Sequence, residues 1–299
     1  MQETLKTGKL IGLERKTCRK GWLFVLPAIL LIAMLAFYPI IQAALLSLQS
    51  GKGNALKWTG ISNFQRLLKD KTFMVALKNT FFYLIVQVPI MLLLAMVLAQ
   101  MLNDRTLLGK GIYRTLIFLP CATSLVSCAI IFKQMFSTNG FINHLLIDWQ
   151  LIEQPLPFLV DGAYARYIII LTMIWRWTGY NMIFYLAGLQ NIDTQVYEAA
   201  RIDGASVVQQ FFKITIPLLK PIIVLTTILS SNGTLQLFDE VKNMTNSGPG
   251  NATITLSTYI YRLTFENVPQ FGYASAIAFV IFFMVVVLAA VQRKVGASK

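Results

Sequence analysis

The sequence is poor in charged residues, which make up only 13% of its 299 positions, whereas soluble domains carry about 25%. It also contains only three cysteines, Cys18, Cys121 and Cys128, and a single histidine, His144. The cysteines have no Cys-x-x-Cys spacing, so the sequence supports neither a zinc site nor a disulfide framework. These shortages argue against an ordinary soluble enzyme and against an active site built on histidine and cysteine.

A phosphate-binding loop of the form Gly-x-x-x-x-Gly-Lys-Ser/Thr is also absent from the sequence. Any process that this chain carries out at the expense of ATP must therefore draw its energy from another polypeptide. We predict that the chain is not an enzyme, has no ATPase site of its own and binds neither a cofactor nor a metal.

Apolar residues, in contrast, are abundant: they make up 56% of the chain, and the mean hydropathy is +0.62. A helix needs about 20 apolar residues to cross a bilayer, and several runs reach that length and are too long for barrel strands. The sequence therefore predicts an all-α polytopic membrane protein with a transmembrane domain at 22–292. Its six predicted spans are 22–48, 79–103, 115–136, 167–190, 217–238 and 270–292.

Six spans place both ends of the chain on one side of the membrane. The N-terminal arm, 1–21, and the tail, 293–299, are both basic, and basic flanks favour the cytoplasm. We therefore predict that both termini are cytoplasmic, although lysine and arginine also crowd the first outer loop, 49–78. The net charge of +13 follows from this topology, and we expect no nucleic-acid partner.

The inner segment 193–220, between the fourth and fifth spans, reads as a helix–turn–helix. Asp193 or Thr194 can cap the first helix, and Gly204 is placed to end it. Ser206 and Gln209 have the spacing of a capping box that starts the second helix. On local physics alone, a solvated hairpin and a docking element explain this segment equally well.

The segment also carries a longer pattern. Glu-Ala-Ala-x-x-x-Gly at 198–204 and Ile-x-x-Pro at 214–217 resemble the EAA loop of binding-protein-dependent ABC importer permeases. The extended form, from Tyr197 to Pro217, is similar to the carbohydrate-importer branch of the maltose and glycerol-3-phosphate type. Weaker similarity runs from about 20 to 292, with one departure at Ser247, where the family more often has glycine.

The resemblance implies that the helix at 194–203 is a coupling helix seated on a cytoplasmic ATPase subunit. The implied ATPase-coupling residues are Glu198, Ala199, Ala200, Asp203, Gly204, Ala205 and Pro217. It further implies a second homologous permease subunit, two ATPase subunits that bind ATP and Mg, and an extracytoplasmic sugar-binding protein. The implied location is the cytoplasmic membrane of a bacterium or archaeon, in contact with lipid.

The function implied is that of the membrane-spanning subunit of an ATP-driven importer for a sugar. The alternatives are a permease for another small polar solute such as glycerol-3-phosphate, an amino-acid or metal permease, and a secondary transporter. A secondary transporter should carry carboxylates inside its spans, and here Asp239 stands only at the edge of one.

Polar and aromatic residues inside the spans are candidates for a solute pathway, because polar groups facing lipid are costly. The predicted pathway residues are Trp177, Tyr180, Asn181, Ser230, Asn232, Thr234 and Gln236. Trp175 and Ser231 are further polar or aromatic positions in the same two spans, and packing between helices is the alternative role for each of these side chains. Arg176, in the fourth span, either reaches the outer interface or pairs with a neighbour, and we expect the first.

Overall fold

The computed structural model describes residues 21–53, 55–104 and 106–297, which are mostly helical. Within them we number twelve helices: α1 (Gly21–Ser47), α2 (Ser62–Lys69), α3 (Lys71–Asn103), α4 (Lys110–Ala122), α5 (Leu125–Met135), α6 (Phe141–Asp148), α7 (Gly162–Gln190), α8 (Thr194–Ile202), α9 (Val207–Leu235), α10 (Asp239–Met244), α11 (Leu256–Tyr261) and α12 (Phe271–Ala297). Except for its last residue, the predicted N-terminal arm lies outside the described residues, as do the last two residues of the tail.

Four of the described helices, α1, α3, α9 and α12, are long and apolar enough to cross a membrane. A fifth span results if α4 and α5 are counted together, but these two helices are bent by 96° at the break between them. The predicted span at 115–136 therefore corresponds to two helices with a bend between them and not to one continuous helix. The chain bends there because Thr123 and Ser124 adopt extended backbone conformations.

Helix α7 contains the predicted fourth span, 167–190, but is not among the helices that are apolar enough to be counted as spans. Its 29 residues give a length of about 44 Å, so its polarity rather than its length sets it apart. It packs along α3 and against α4 and α9. At Gly179 a Cβ atom would lie 2.0 Å from the carbonyl oxygen of Ile117, so only glycine permits this approach to α4.

Helix α9 starts earlier than the predicted span 217–238. The second helix of the inner segment does not end before the membrane but continues as α9 through a π-helical turn at Phe211–Thr215. Pro217 and Pro221 lie inside this continuous helix. Proline lacks an N–H group, and a wide turn just before it is a common way for a helix to accommodate the lost hydrogen bond.

The first outer loop contains a small β-hairpin that the all-α prediction does not include. Its antiparallel strands are β1 (Gln49–Lys52) and β2 (Ala55–Trp58). Asn63, in α2, secures the hairpin, because its side-chain amide donates to the carbonyls of Ser47 and Gln49 at 2.8 and 2.7 Å. A short hairpin of this kind depends on such support for its stability.

Three helices meet at the carboxylate of Asp70, in what we call the Asp70 cluster. One carboxylate oxygen caps α3 by accepting hydrogen bonds from the backbone of Thr72 and Phe73. The other accepts hydrogen bonds from the hydroxyl groups of Tyr259 and Tyr273, each at 2.6 Å. The cluster therefore joins the N-terminal end of α3 to α11 and α12.

Candidate functional site

The predicted pathway residues converge on one cavity of about 330 Å³ between α3, α7 and α9. Six of the seven line it: Trp177, Tyr180, Asn181, Ser230, Thr234 and Gln236. The cavity lies where the middle of α7 faces the outer half of α9. Its volume is at the lower end of the range typical of small-molecule sites.

The seventh residue, Asn232, does not line the cavity, and its side-chain oxygen accepts a hydrogen bond from Gln236 at 2.7 Å. Ser231 is buried and accepts a hydrogen bond from Gln292 of α12 at 3.0 Å, so it serves helix packing. The ring of Trp175 packs at a tilt against that of Phe132, with centroids 5.2 Å apart, and Trp175 also lies outside the cavity.

Hydrogen bonds link the polar side chains of the cavity wall. Ser230 donates to the side-chain oxygen of Asn181 at 3.3 Å, and Thr234 donates to the side-chain oxygen of Gln87 at 2.8 Å. Gln87, in α3, is only 1% exposed and is not among the pathway residues predicted from the sequence. Its signal in the sequence is a polar amide near the middle of the apolar run 79–103.

Two carboxylates also line the cavity and were not among the predicted pathway residues, Asp239 and Glu240 of α10. Glu240 is only 5% exposed, because α10 packs against α5 and α7. Burial raises the pKa of Glu240, and the charge of the neighbouring Asp239 raises it further. A backbone hydrogen bond, the charge of Arg176 and a hydrogen bond from Trp177 lower it. Asp239 was predicted to lie at the edge of a span, and Glu240 was not among the candidate residues.

Arg176 does not reach the outer interface, and that expectation is wrong. Its side chain is 4% exposed and lies at the break between α4 and α5. The guanidinium donates to the carbonyls of Pro120, Cys121 and Thr123 at 3.1, 3.3 and 2.6 Å, and to the Thr123 hydroxyl at 3.0 Å. Carbonyls at the end of the broken helix thus supply acceptors for the buried guanidinium.

The predicted helix–turn–helix of the inner segment is confirmed. Asp193 caps α8 by accepting the backbone N–H of Gln195 at 3.0 Å. Gly204 follows the helix with a φ of +79°, and Ser206 and Gln209 form a reciprocal capping box at the start of α9. Only glycine takes such a φ without strain.

The surface of this segment is exposed. Helix α8 has no buried residue, and three apolar side chains at its turn are bare: Ile202 is 87% exposed, Val207 75% and Val208 65%. Of the predicted coupling residues, Glu198, Ala199, Asp203, Gly204 and Pro217 are exposed, and Ala200 and Ala205 are half-buried. The hydroxyl groups of Tyr197 and Thr215, 2.9 Å apart, join α8 to the π-helical turn of α9.

The described residues contain no group of three His, Cys, Asp or Glu side chains that could hold a metal ion. The cavity instead offers amides, hydroxyl groups, carboxylates and three aromatic rings, two of which, Trp177 and Tyr180, have centroids 5.8 Å apart. This set of groups suits the binding of a polyhydroxylated solute by hydrogen bonds and apolar contact.

Comparison with known proteins gives concordant matches. The model of the family described as "Binding-protein-dependent transport system inner membrane component" matches residues 91–297. The lactose transport system permease protein LacF of Rhizobium radiobacter is 52% identical over 283 residues, which cover 94% of this chain and 95% of that protein. The arabinooligosaccharides transport system permease protein AraP of Halalkalibacterium halodurans is 33% identical and covers 97% of this chain and 91% of its own length.

The fold also occurs in a solved structure, that of a bacterial ABC transporter involved in the import of the acidic polysaccharide alginate. One of its chains superposes with a TM-score of 0.83 at 24% identity, covering 95% of this chain and 99% of that one. At this level of identity the likeness shows the fold alone.

Proposed function

Because the chain belongs to the family of binding-protein-dependent transport system inner membrane components, we propose that it is the membrane-spanning subunit of an ATP-driven importer for a sugar. The observation that carries the proposal is the 52% identity, over nearly the whole chain, to a lactose transport permease. The multi-pass chain lies in the cytoplasmic membrane of a bacterium or archaeon. Both termini and the inner segment lie on the cytoplasmic side.

The chain works with partners that supply what its sequence lacks. Two cytoplasmic ATPase subunits bind ATP and Mg, and a second homologous permease completes the membrane domain. An extracytoplasmic sugar-binding protein delivers the solute. A solved alginate transporter with this fold is itself in complex with a sugar-bound periplasmic protein, which supports the last of these partners.

Helix α8 and the turn after it are the surface that docks on one ATPase subunit. Exposed Ala199 and half-buried Ala200 allow close approach of the partner, and Glu198 offers a carboxylate to a basic residue. The bare side chains of Ile202 and Val207 beside the turn supply apolar area that a partner would cover. Because α8 is joined directly to α7 and α9, movement of the ATPases displaces both helices and exposes the cavity alternately to each side.

The cavity between α3, α7 and α9 is this chain's part of the sugar pathway. Its hydroxyl and amide groups meet sugar hydroxyls, while Trp177 and Tyr180 offer ring faces to the apolar face of a pyranose. Gln87 joins the residues proposed from the sequence, because it holds Thr234 in place from the opposite wall.

The test is uptake of lactose by proteoliposomes that contain the complex of this chain with its partner permease, ATPases and binding protein. We expect uptake that depends on ATP, and copurification of an ATPase with this chain. Replacement of Ser230 by leucine fills the cavity and should reduce uptake at least tenfold without releasing the ATPase. Ser257→Leu, on α11 and outside the cavity wall, is the matched control.

Each part of the proposal can fail separately. A chain that purifies without any ATPase would refute the importer assignment. Unchanged uptake in Ser230→Leu, Tyr180→Ala and Thr234→Leu together would refute the pathway while leaving the importer intact.

A further inference from the structure

The charged residues of the cavity are of one sign. Among the described residues that line it, Asp239 and Glu240 are acidic, and none is lysine, arginine or histidine. Asp239 is half-buried and Glu240 almost wholly buried. A solute in the cavity therefore meets carboxylates and no cationic side chain of this chain.

The two basic residues near these carboxylates are engaged elsewhere. The positive charge of Arg176 lowers the pKa of Glu240. The hydrogen bonds of this guanidinium, however, are made to acceptors at the break between α4 and α5. Lys242, on the same short helix, forms an ion pair with Glu266. Neither side chain lines the cavity.

Such a cavity treats neutral and anionic solutes differently. Sugar hydroxyl groups can donate to the carboxylates, and hydrogen bonds to a charged acceptor are among the stronger ones in proteins. An anionic solute would give up its hydration, find no counter-ion in this wall and face charges of its own sign. An unfavourable contact of this kind is an effective way to exclude a competing ligand.

We propose that Glu240, assisted by Asp239, is a specificity-determining residue that excludes anionic solutes, so that the imported sugar is uncharged. The proposal rests on the proposed function, since it concerns the same cavity. It also favours a neutral sugar over glycerol-3-phosphate, the other solute considered above, because an anionic solute such as glycerol-3-phosphate or a uronic acid would be rejected. The fold leaves this choice open, since the solved structure that shares it imports an acidic polysaccharide.

The charge of the cavity can be measured without any sugar. In the assembled complex, with the three native cysteines replaced by serine, Gln236→Cys places a thiol at an exposed position of the cavity wall. The rates of its modification by a cationic and an anionic methanethiosulfonate of similar size are measured at pH 8. The ratio of the two rates is divided by the ratio for free 2-mercaptoethanol, which corrects for the reagents themselves.

We expect the corrected ratio to favour the cationic reagent by about tenfold or more. It should fall several-fold in Glu240→Gln and in Asp239→Asn and should be retained in Glu240→Asp, which keeps the charge. Glu153→Gln removes an exposed acidic residue outside the cavity wall and should leave the ratio unchanged. Should Glu240→Gln fail to assemble, Asp239→Asn still decides the outcome.

A corrected ratio near one, or a high ratio that neither neutral variant lowers, overturns the charge assignment. The failure of this charge assignment can be distinguished from the failure of the proposed function. If lactose is taken up and the ratio is near one, the sugar importer stands and the exclusion of anions falls. If the ratio is high and no sugar is taken up, the assignment of negative charge to the cavity stands and the sugar importer falls.

Discussion

The guanidinium of Arg176 is held by three carbonyl oxygens and one hydroxyl group at the broken end of α4. A charged side chain inside a membrane domain is costly unless its donors are satisfied, and this one meets four acceptors within 3.3 Å. The arginine and the bend therefore stabilise each other: the bend exposes the carbonyls, and the guanidinium satisfies them.

We predict that Arg176→Met destabilises the assembled complex by at least about 2 kcal/mol, because it leaves several buried carbonyls without donors. Arg176→Lys should recover only part of this loss, since lysine lacks the planar fork of donors. Thermal unfolding of the complex in detergent measures both. Arg166→Met is the matched control, as Arg166 makes a single bond to the Gly162 carbonyl. Equal losses at the two positions would contradict this role for Arg176.

The Asp70 cluster gives a prediction about pH. Burial alone would raise the pKa of Asp70, but hydrogen bonds from Tyr259, Tyr273 and the backbone outweigh burial and lower it. A lowered pKa means that the ionised carboxylate stabilises the fold at neutral pH. This stabilisation is fully present above the unfolded value of about 3.9 and is lost as the pH falls through the lower folded value.

We therefore expect Asp70→Asn to lower stability by about 1 kcal/mol at pH 7. The difference from the unmodified chain should shrink as the pH drops below about 4. Asp148→Asn, at an exposed position, serves as the control in the same pH series. A difference that stays constant down to pH 3 would show that Asp70 acts through its shape rather than through its charge.

Residues whose partners are near in the sequence were predictable, and residues with distant partners were not. Gly204, Ser206 and Gln209 were identified correctly because caps and turns involve neighbours up to a few positions away. Arg176 was misplaced because its acceptors lie more than 50 positions away along the chain. A single charge in an apolar run signals that a partner is needed but not which partner it is.

At the scale of elements, the turn between α8 and α9 is the part most open to test. Gly204 has a φ of +79° and open space where a Cβ would stand. We predict that Gly204→Asp strains this turn by about 1 kcal/mol and abolishes sugar-stimulated ATP hydrolysis and uptake, while the chain still inserts into the membrane. Activity of the reconstituted complex and ATPase retention on a gel are the measurements.

Gly60→Asp is a matched control for this prediction, because Gly60 has a φ of +59° and equally open space on the opposite side of the predicted topology. It should introduce similar strain and leave transport coupled. Glu198→Lys should uncouple as Gly204→Asp does, by reversing a contact charge. Full stimulated hydrolysis and uptake in Gly204→Asp would refute the coupling role.

Gln210→Ala would not be a neutral change in this segment. Gln210 is buried, and its side-chain amide donates to the Ala205 carbonyl at 2.8 Å. Gln195, which is exposed on α8, is the better position for a neutral substitution.

The existence of long apolar helices was predictable from hydropathy, but their ends and bends were not. Helix α3 begins at Lys71, eight positions before the predicted span 79–103, because the cap at Asp70 and not the apolar run sets its start. The break between α4 and α5 lies in a charge-free apolar run, and it depends on contacts with α7. Local composition carries no trace of the contacts with α7, whereas the Asp70 cap is a local signal that hydropathy alone does not detect.

At the scale of the whole molecule, the predicted topology places the β-hairpin outside and α8 inside. We predict that Lys57→Cys, in β2, reacts with a membrane-impermeant maleimide on intact spheroplasts. Gln195→Cys, in α8, should react only after permeabilisation; both positions are exposed in the structure. Each thiol is introduced into a chain whose native cysteines are replaced. Labelling of Gln195→Cys in intact spheroplasts would invert the orientation.

Helix α9 connects the inner segment to the cavity as one uninterrupted rod of 29 residues. At 1.5 Å per residue it is about 44 Å long, so a tilt of about 10° around its middle moves each end by about 4 Å in opposite directions. Ser230 and Thr234 lie near one end, and the turn at Gly204 lies just beyond the other. Such a rod acts as a lever, and a push of a few ångströms at the end beside Gly204 would be matched in size, and opposed in direction, at the wall of the cavity.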